Sequence, residues 1–149
     1  MRHAEKRGDL MDPHLSDEGV VRAKRLATYI PEMFGQVDFL FAAAEPKHSL
    51  RPIETIQPLS EAIDVPIDDS YADQDYGALA EELLSNDQYS GKNVLICWHH
   101  GNIPSLANAL KAASGSYPDP WDRNVFNEIL QSVYGPTDIP TLQRHIEPF

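Results

Sequence analysis

Apolar residues return along this chain in two alternating rhythms. Val20, Val21, Ala23, Leu26, Ala27 and Ile30 recur at helical spacing. That spacing predicts a helix from about Asp17 to Tyr29, with Ser16 as N-cap, Asp17 and Glu18 at the positive end of the helix dipole, and Pro31 as its stop. Val37 to Ala44 is short and almost wholly apolar, which suits a strand covered on both faces. After the loop EPKHSL, Ile53, Ile56, Leu59 and Ile63 form one face of a helix over RPIETIQPLSEAI, in which Pro52 suits the first turn and Pro58 is expected to kink or restart it. A third helix is expected over DYGALAEELLS, a strand from Asn93 to Trp98, and a fourth helix over IPSLANALKAA that ends at Ser114 and Gly115. NEILQSVYG and TLQRHIEPF read as an antiparallel pair at a sheet edge. Helices alternating with short apolar strands indicate an α/β sandwich.

Length and composition narrow this picture. The 149 residues fit one domain with a core of useful size, and no apolar run approaches the length of a bilayer span. With 12 Lys and Arg against 23 Asp and Glu, the net charge of −11 repels nucleic acid and acidic membrane surfaces over most of the molecule. The single cysteine, Cys97, lies inside an apolar run, excludes an internal disulfide and agrees with a reducing, cytoplasmic setting. In so acidic a chain, an anion site needs its few cations gathered locally.

Three polar clusters interrupt apolar surroundings where α/β sheets keep ligand sites: Arg2-His3, Lys47-His48 with Arg51, and His99-His100. Two guanidinium forks can neutralise a phosphate dianion and leave the phosphorus open to attack. A neutral imidazole can make that attack, and a second histidine can stabilise charge on the equatorial oxygens. Zinc is the competing ligand for such histidines, joined by Glu5 and His14. The absence of a helical His-x-x-x-His pair and the repulsion of a cation by paired arginines argue against it.

Arg2-His3-Ala4-Glu5, Leu15-Ser16, Gly19, Arg22-Ala23 and Leu26 resemble the RHGE...LSxxGxxQAxxL signature of the histidine phosphatase superfamily, the phosphoglycerate-mutase-like fold. KHSLRPIETIQPLSEAI is similar to its SxxxRxxQTAxxLAxxL stretch, and VLICWHHGNIPSLANAL to its VLVVSHGGVIxxLLxxL stretch, in the family's order. The resemblance implies a three-layer α/β/α sandwich with a mostly parallel sheet, a single domain over residues 1–149, and hydrolysis of a phosphomonoester or related small phosphorylated substrate without a cofactor. It implies His3 as phospho-accepting nucleophile, Arg2 and Arg51 as the phosphate clamp, His99 or His100 as the second pocket histidine, and Asp73 or Asp75 as proton donor. Glu5 and Asn102 join Arg2 and Arg51 as expected substrate-binding residues. A mutase-type phosphotransferase and a non-catalytic binder of phosphorylated ligands are the alternatives, and the lack of long insertions around the pocket favours a small phosphatase.

One departure concerns the chain's first residues. The family sets an apolar strand directly before its Arg-His, so the expectation is that about five or six residues, a strand's length, belong upstream of Met1. A nucleophile on the first residues is otherwise expected to be poorly held. Lys47, His48 and His145 read as surface or structural residues, His14 as a residue that could face the pocket, and Trp98 and Trp121 as packing residues.

Overall fold

Along the first strand of the sheet, successive side chains enter different cores. In a computed structural model of the chain, which describes residues 1–45 and 47–149, β1 (Phe39–Ala42) sends Leu40 and Ala42 to one side and Phe41, followed by Ala43, to the other. Period-two alternation with both faces apolar makes a strand buried between layers. On one face it meets α1 (Asp17–Phe34) and α2 (Arg51–Ile63) through Leu26, Ile30, Ile56 and Leu59. On the other it meets α3 (Tyr76–Ser85) and α4 (Ile103–Ala109) through Leu79, Ala80, Ile103 and Leu106. The result is the expected three-layer α/β/α sandwich. Pro46, inside the expected loop, lies outside the described residues.

The central sheet is parallel, in the order β2 (Ile67–Asp68), β1, β3 (Val94–Cys97). The tail forms the expected antiparallel pair, β4 (Glu128–Val133) with β5 (Thr141–Ile146), but as a separate two-stranded sheet and not at the edge of the central one. Met1 to His3 extend the central sheet on the far side of β3. Arg2 forms a parallel bridge with Trp98, Met1 C=O accepts from Trp98 N–H (3.0 Å), and His3 N–H donates to Trp98 C=O (3.1 Å).

Several boundaries depart from the sequence expectation. Pro31 does not stop α1, which runs three residues further to Phe34 before Gly35 turns the chain at φ 80°. A proline forfeits only one helical hydrogen bond, and here the helix already has Ile30 anchored in the core. Pro58 leaves α2 unbroken for the same reason, with Ile56 and Leu59 buried on either side of it. The fourth helix is shorter than its periodicity suggests: it closes at Ala109, and Lys111 takes a left-handed φ of 67°. The strand β2 falls in a segment read as a connection.

Ser16 caps α1 as expected, its Oγ accepting from Gly19 N–H at 3.1 Å, while Ser16 N–H donates to Glu5 C=O at 2.9 Å. The start of α1 thus clamps the backbone that follows His3. Gly19 lies so close to this segment that a Cβ there would come 2.3 Å from Glu5 C=O. Gly19→Ala therefore forces these two backbones apart and lowers unfolding free energy by about 1–3 kcal/mol, measured by urea denaturation; a loss well below that range would show that the contact has room to relax.

Candidate active site

Arg2 and His3 are only 2% and 3% exposed, so the expectation of a loosely held nucleophile does not apply to this segment. The bridge to Trp98 holds one side of it. On the other side Ala4 N–H donates to Thr55 Oγ1 (2.9 Å), and Thr55 Oγ1 donates to Arg51 C=O (2.7 Å). One buried threonine on α2 therefore ties the Arg-His segment to the turn of helix that carries Arg51.

The side chains from the three sequence clusters meet. The imidazoles of His3 and His99 lie edge to face with ring centroids 5.3 Å apart. His3 Nδ1 lies 2.7 Å from its neighbour's carbonyl, Ala4 C=O; this carbonyl can only accept, so Nδ1 carries the proton and Nε2 keeps its lone pair. Burial, with His99, Arg2 and Arg51 nearby, pushes the His3 pKa down to about 2, so the ring is neutral at physiological pH. His99 is pushed down to about 4 by burial and the Arg51, His100 and Arg2 charges. His100 falls to about 4 through burial and the neighbouring charges of Arg2 and Lys6. Of the two candidates, His99 is the one whose ring faces His3.

The guanidiniums are held by backbone carbonyls and not by carboxylates. Arg2 Nη1 donates to Arg123 C=O (2.5 Å) and Val125 C=O (3.2 Å), and its guanidinium stacks 3.8 Å from the Phe126 ring centre. Arg51 Nη1 donates to Asp12 C=O at 2.7 Å. Burial and the Arg51 charge lower the Arg2 pKa to about 10, still cationic at neutral pH. Arg2 Nε, Arg51 Nε, His99 Nε2 and Asp73 Oδ1 are all buried without a hydrogen-bond partner. Unsatisfied buried polar atoms are costly and call for an explanation; Glu147 Oε1, beside Arg22, is another.

Asp73 and Asp75 separate clearly. Asp75 is exposed, whereas Asp73 is buried and its Oδ2 accepts from Asn102 Nδ2 at 2.8 Å. Burial, with some help from the Glu45 charge, raises the Asp73 pKa to about 6. Trp98 Nε1 donates to Asp73 C=O at 3.0 Å, so the tryptophan that pairs with Arg2 also fixes this aspartate. Asn102 reaches Asp73 and not a free position in the pocket. Glu5, expected among the substrate-binding residues, is held by Arg22, whose Nε and Nη2 donate to its carboxylate at 2.7–3.0 Å and brace the Arg-His segment against α1. His14 pairs with Glu54 at 2.5 Å, and His145 reaches Gln131 Oε1 at 2.8 Å. Cys97 is buried with its pKa raised to about 12, an inert packing thiol.

Three neighbours of the site escaped the sequence reading. Thr55 carried a faint signal, a polar residue one turn after Arg51 beside apolar Ile56. Phe126 carried none, since nothing local links it to Arg2. Glu45, whose Oε2 stands 3.8 Å from His99 Nε2, sat in a segment that reads as a plain loop. With His99 neutral this contact is not an ion pair, and it is too long for a hydrogen bond. Among the described residues no group of three or more His, Cys, Asp or Glu could hold a metal ion, and no helix is long and apolar enough to cross a membrane.

No protein-family model matches the chain, and neither does any curated protein. Solved structures do match. The protein histidine phosphatase SixA, complexed with tungstate, superposes with a TM-score of 0.70 at 14% identity, covering 99% of this chain and 94% of its own. A mycobacterial glucosyl-3-phosphoglycerate phosphatase with inorganic phosphate gives a TM-score of 0.52 at 16% identity, covering 80% of this chain and 78% of its own. The likeness is one of fold: the chain has the phosphoglycerate-mutase-like architecture of these phosphatases.

The raised pKa of Asp73 has a consequence for stability. The folded protein binds this proton more tightly than the unfolded chain, so the contribution is complete below about pH 4 and is lost as pH rises through about 6. Asp73→Asn, which cannot ionise, gains in Tm over the parent at pH 8 and loses that advantage at pH 4. A Tm difference that does not change with pH would show that Asp73 titrates normally.

Proposed function

We propose that the chain is a histidine phosphatase that hydrolyses a phosphomonoester or related small phosphoryl substrate through a phosphohistidine intermediate. The observation that carries this reading is the meeting of His3, His99, Arg2 and Arg51, from separate segments, in one buried space where three of their ring or guanidinium nitrogens lack partners. The overlay with solved phosphatases adds the fold.

The residues divide the work as follows. Arg2 and Arg51 bind the phosphoryl oxygens and lower their charge. His3 Nε2 attacks phosphorus while Nδ1–H stays bonded to Ala4 C=O, which fixes the ring's tautomer and direction. The bond from phosphorus to the leaving oxygen breaks, and that oxygen takes the proton of Asp73, whose raised pKa leaves it partly protonated near neutral pH. Water then attacks phosphorus, the P–N electron pair returns to His3, and the water's proton goes to the Asp73 carboxylate. His99 Nε2, buried and without a partner, supplies a hydrogen bond to the equatorial oxygens in both transition states. The cycle uses side chains and water alone.

His3→Ala lowers turnover of small phosphate esters by about a thousandfold or more with the fold intact by circular dichroism. In the parent, acid-labile phosphate is trapped on His3, vanadate inhibits, and EDTA does not. Absence of turnover across a broad panel, with tight phosphate binding, would make the protein a sensor and overturn the enzyme. The proton donor is read separately, in the single-turnover phosphorylation step: there Asp73→Asn slows alkyl phosphates by about a hundredfold and leaves p-nitrophenyl phosphate, a better leaving group, nearly unchanged. In the parent the alkyl rate falls as pH rises through about 6. Equal loss on both substrates would reject Asp73 as the donor.

A further inference from the structure

Asn102 stands where an asparagine ordinarily caps a helix, and it does not cap. It precedes α4, yet its side chain makes no bond to that helix. The amide turns instead to the 3₁₀ turn Asp73–Asp75 that leads into α3. There Nδ2 donates to Asp73 Oδ2 at 2.8 Å and to Asp73 C=O at 3.2 Å. A backbone carbonyl can only accept, so the amino end of the amide is the end that faces Asp73. The usual capping bond is given up for one carboxyl group.

The backbone of Asn102 is fixed as firmly as its side chain. Its N–H donates to His99 C=O at 3.1 Å, closing the turn that follows His99, and its C=O accepts from Leu106 N–H at 2.9 Å. Trp98 Nε1 bonds the same Asp73 carbonyl at 3.0 Å. Donors from either side of His99 in the chain therefore hold Asp73. Glu45 is the charged group whose field acts on Asp73, and its Oε2 stands 3.8 Å from His99 Nε2. The Asp73 carboxyl thus lies on the His99 side of the site.

The two oxygens of that carboxyl are unequal. Oδ2 has Asn102, whereas Oδ1 is buried without a partner in a residue only 9% exposed. In a protonated carboxyl the carbonyl oxygen is the better acceptor and the hydroxyl oxygen the donor. An N–H fixed at Oδ2 therefore assigns the proton to Oδ1. When the group ionises, the bond at Oδ2 becomes charge-assisted and is kept. One bond serves both protonation states, so the carboxyl does not have to rotate between giving a proton and taking one.

We propose that Asn102 is the positioning residue for Asp73: it holds Oδ2 and so makes Oδ1 the oxygen that exchanges protons with the reacting phosphoryl group. The inference rests on the phosphatase reading above, with Asp73 as its donor. In the first step the Oδ1 proton passes to the departing oxygen as the P–O bond breaks. In the second, Oδ1 takes the proton of the attacking water as the P–N bond breaks. Burial and Glu45 favour the protonated carboxyl, and the Asn102 bond opposes them, which keeps both states within reach.

The test follows single-turnover phosphorylation by an alkyl phosphate and by p-nitrophenyl phosphate across pH in the parent, Asn102→Leu and Asn102→Gln. In Asn102→Leu the fall of the alkyl rate with rising pH is expected to move from about 6 to about 7 or above, since the donor that favours the ionised form is gone. On the low-pH plateau the alkyl rate is expected to be about tenfold lower, with p-nitrophenyl phosphate within about twofold of the parent. Asn102→Gln, which keeps the donor on a longer stem, recovers part of the plateau rate and brings the midpoint back toward the parent's. If Asn102→Leu does not fold, Asn102→Asp keeps the shape and puts a carboxylate in the donor's place, and its midpoint is expected to rise at least as far. Equal loss on both substrates with an unmoved midpoint overturns the proposal and leaves Asn102 a brace between α3 and α4, while turnover in the parent leaves the phosphatase reading standing. A parent without turnover on any substrate rejects both.

Discussion

The backbone pairing of Arg2 with Trp98 is the interaction on which the site depends. Because Trp98 precedes His99, the same bridge that seats Arg2 and His3 also fixes where the second imidazole stands relative to the first. The indole of Trp98 extends this control, bonding the carbonyl of Asp73. Trp98 is fully buried, and four residues of the candidate site, Arg2, His3, His99 and Asp73, take their positions from its backbone, its ring or its place in the chain. Across the segment, Thr55 performs the corresponding task for Arg51.

The choice of partners explains how a chain of net charge −11 holds Arg2 and Arg51 without a carboxylate bonded to either. Three nearby carboxylates are engaged by other side chains, Glu5 by Arg22, Asp12 by Arg7 and Glu54 by His14, while Glu45 stands beside His99. Arg2 and Arg51 receive backbone carbonyls, which satisfy hydrogen bonds without cancelling charge. Burial lowers the pKa of both guanidiniums, and the Arg51 charge lowers that of Arg2 further, so keeping the two cations close is unfavourable in the absence of an anion. The same field suppresses protonation of His3 and His99. In the function proposed above, anion binding and the nucleophilicity of His3 come from this one electrostatic arrangement.

Much of this was legible because short-range rules governed it. The bounds of α2, Arg51 to Ile63, follow from its apolar face and its Pro52, and Ser16 announces the start of α1. The three clusters with Arg2, Arg51 and His99 are visible as polar breaks in apolar context, and their order on the chain carries the resemblance to a known fold. What the sequence left undecided depended on direction. His99 and His100 are adjacent, and only the turn after β3 decides which ring meets His3. Asp73 and Asp75 lie two positions apart in a single 3₁₀ turn of three residues, so they point to different sides, one buried and the other exposed. Glu5 looks like part of the binding set until Arg22, seventeen positions on, is found to hold both its oxygens. Pro31 and the early end of α4 were misjudged because tertiary anchoring outweighs a single helix signal.

Holding His3 and holding the sheet together are separate problems in this fold. The geometry of His3 is set within a few ångströms, by Trp98, Ala4, Thr55 and the cap at Ser16. The integrity of the sheet is a longer-range matter, because among the described residues no strand pairing joins β3 to β4, which line walls of one cleft. Local order at His3 therefore coexists with a seam a few residues away, where backbone groups open to solvent cost little to expose. Met1 lines that cleft while His3, two residues on, meets the His99 ring, so neighbouring residues of one segment serve the two problems separately.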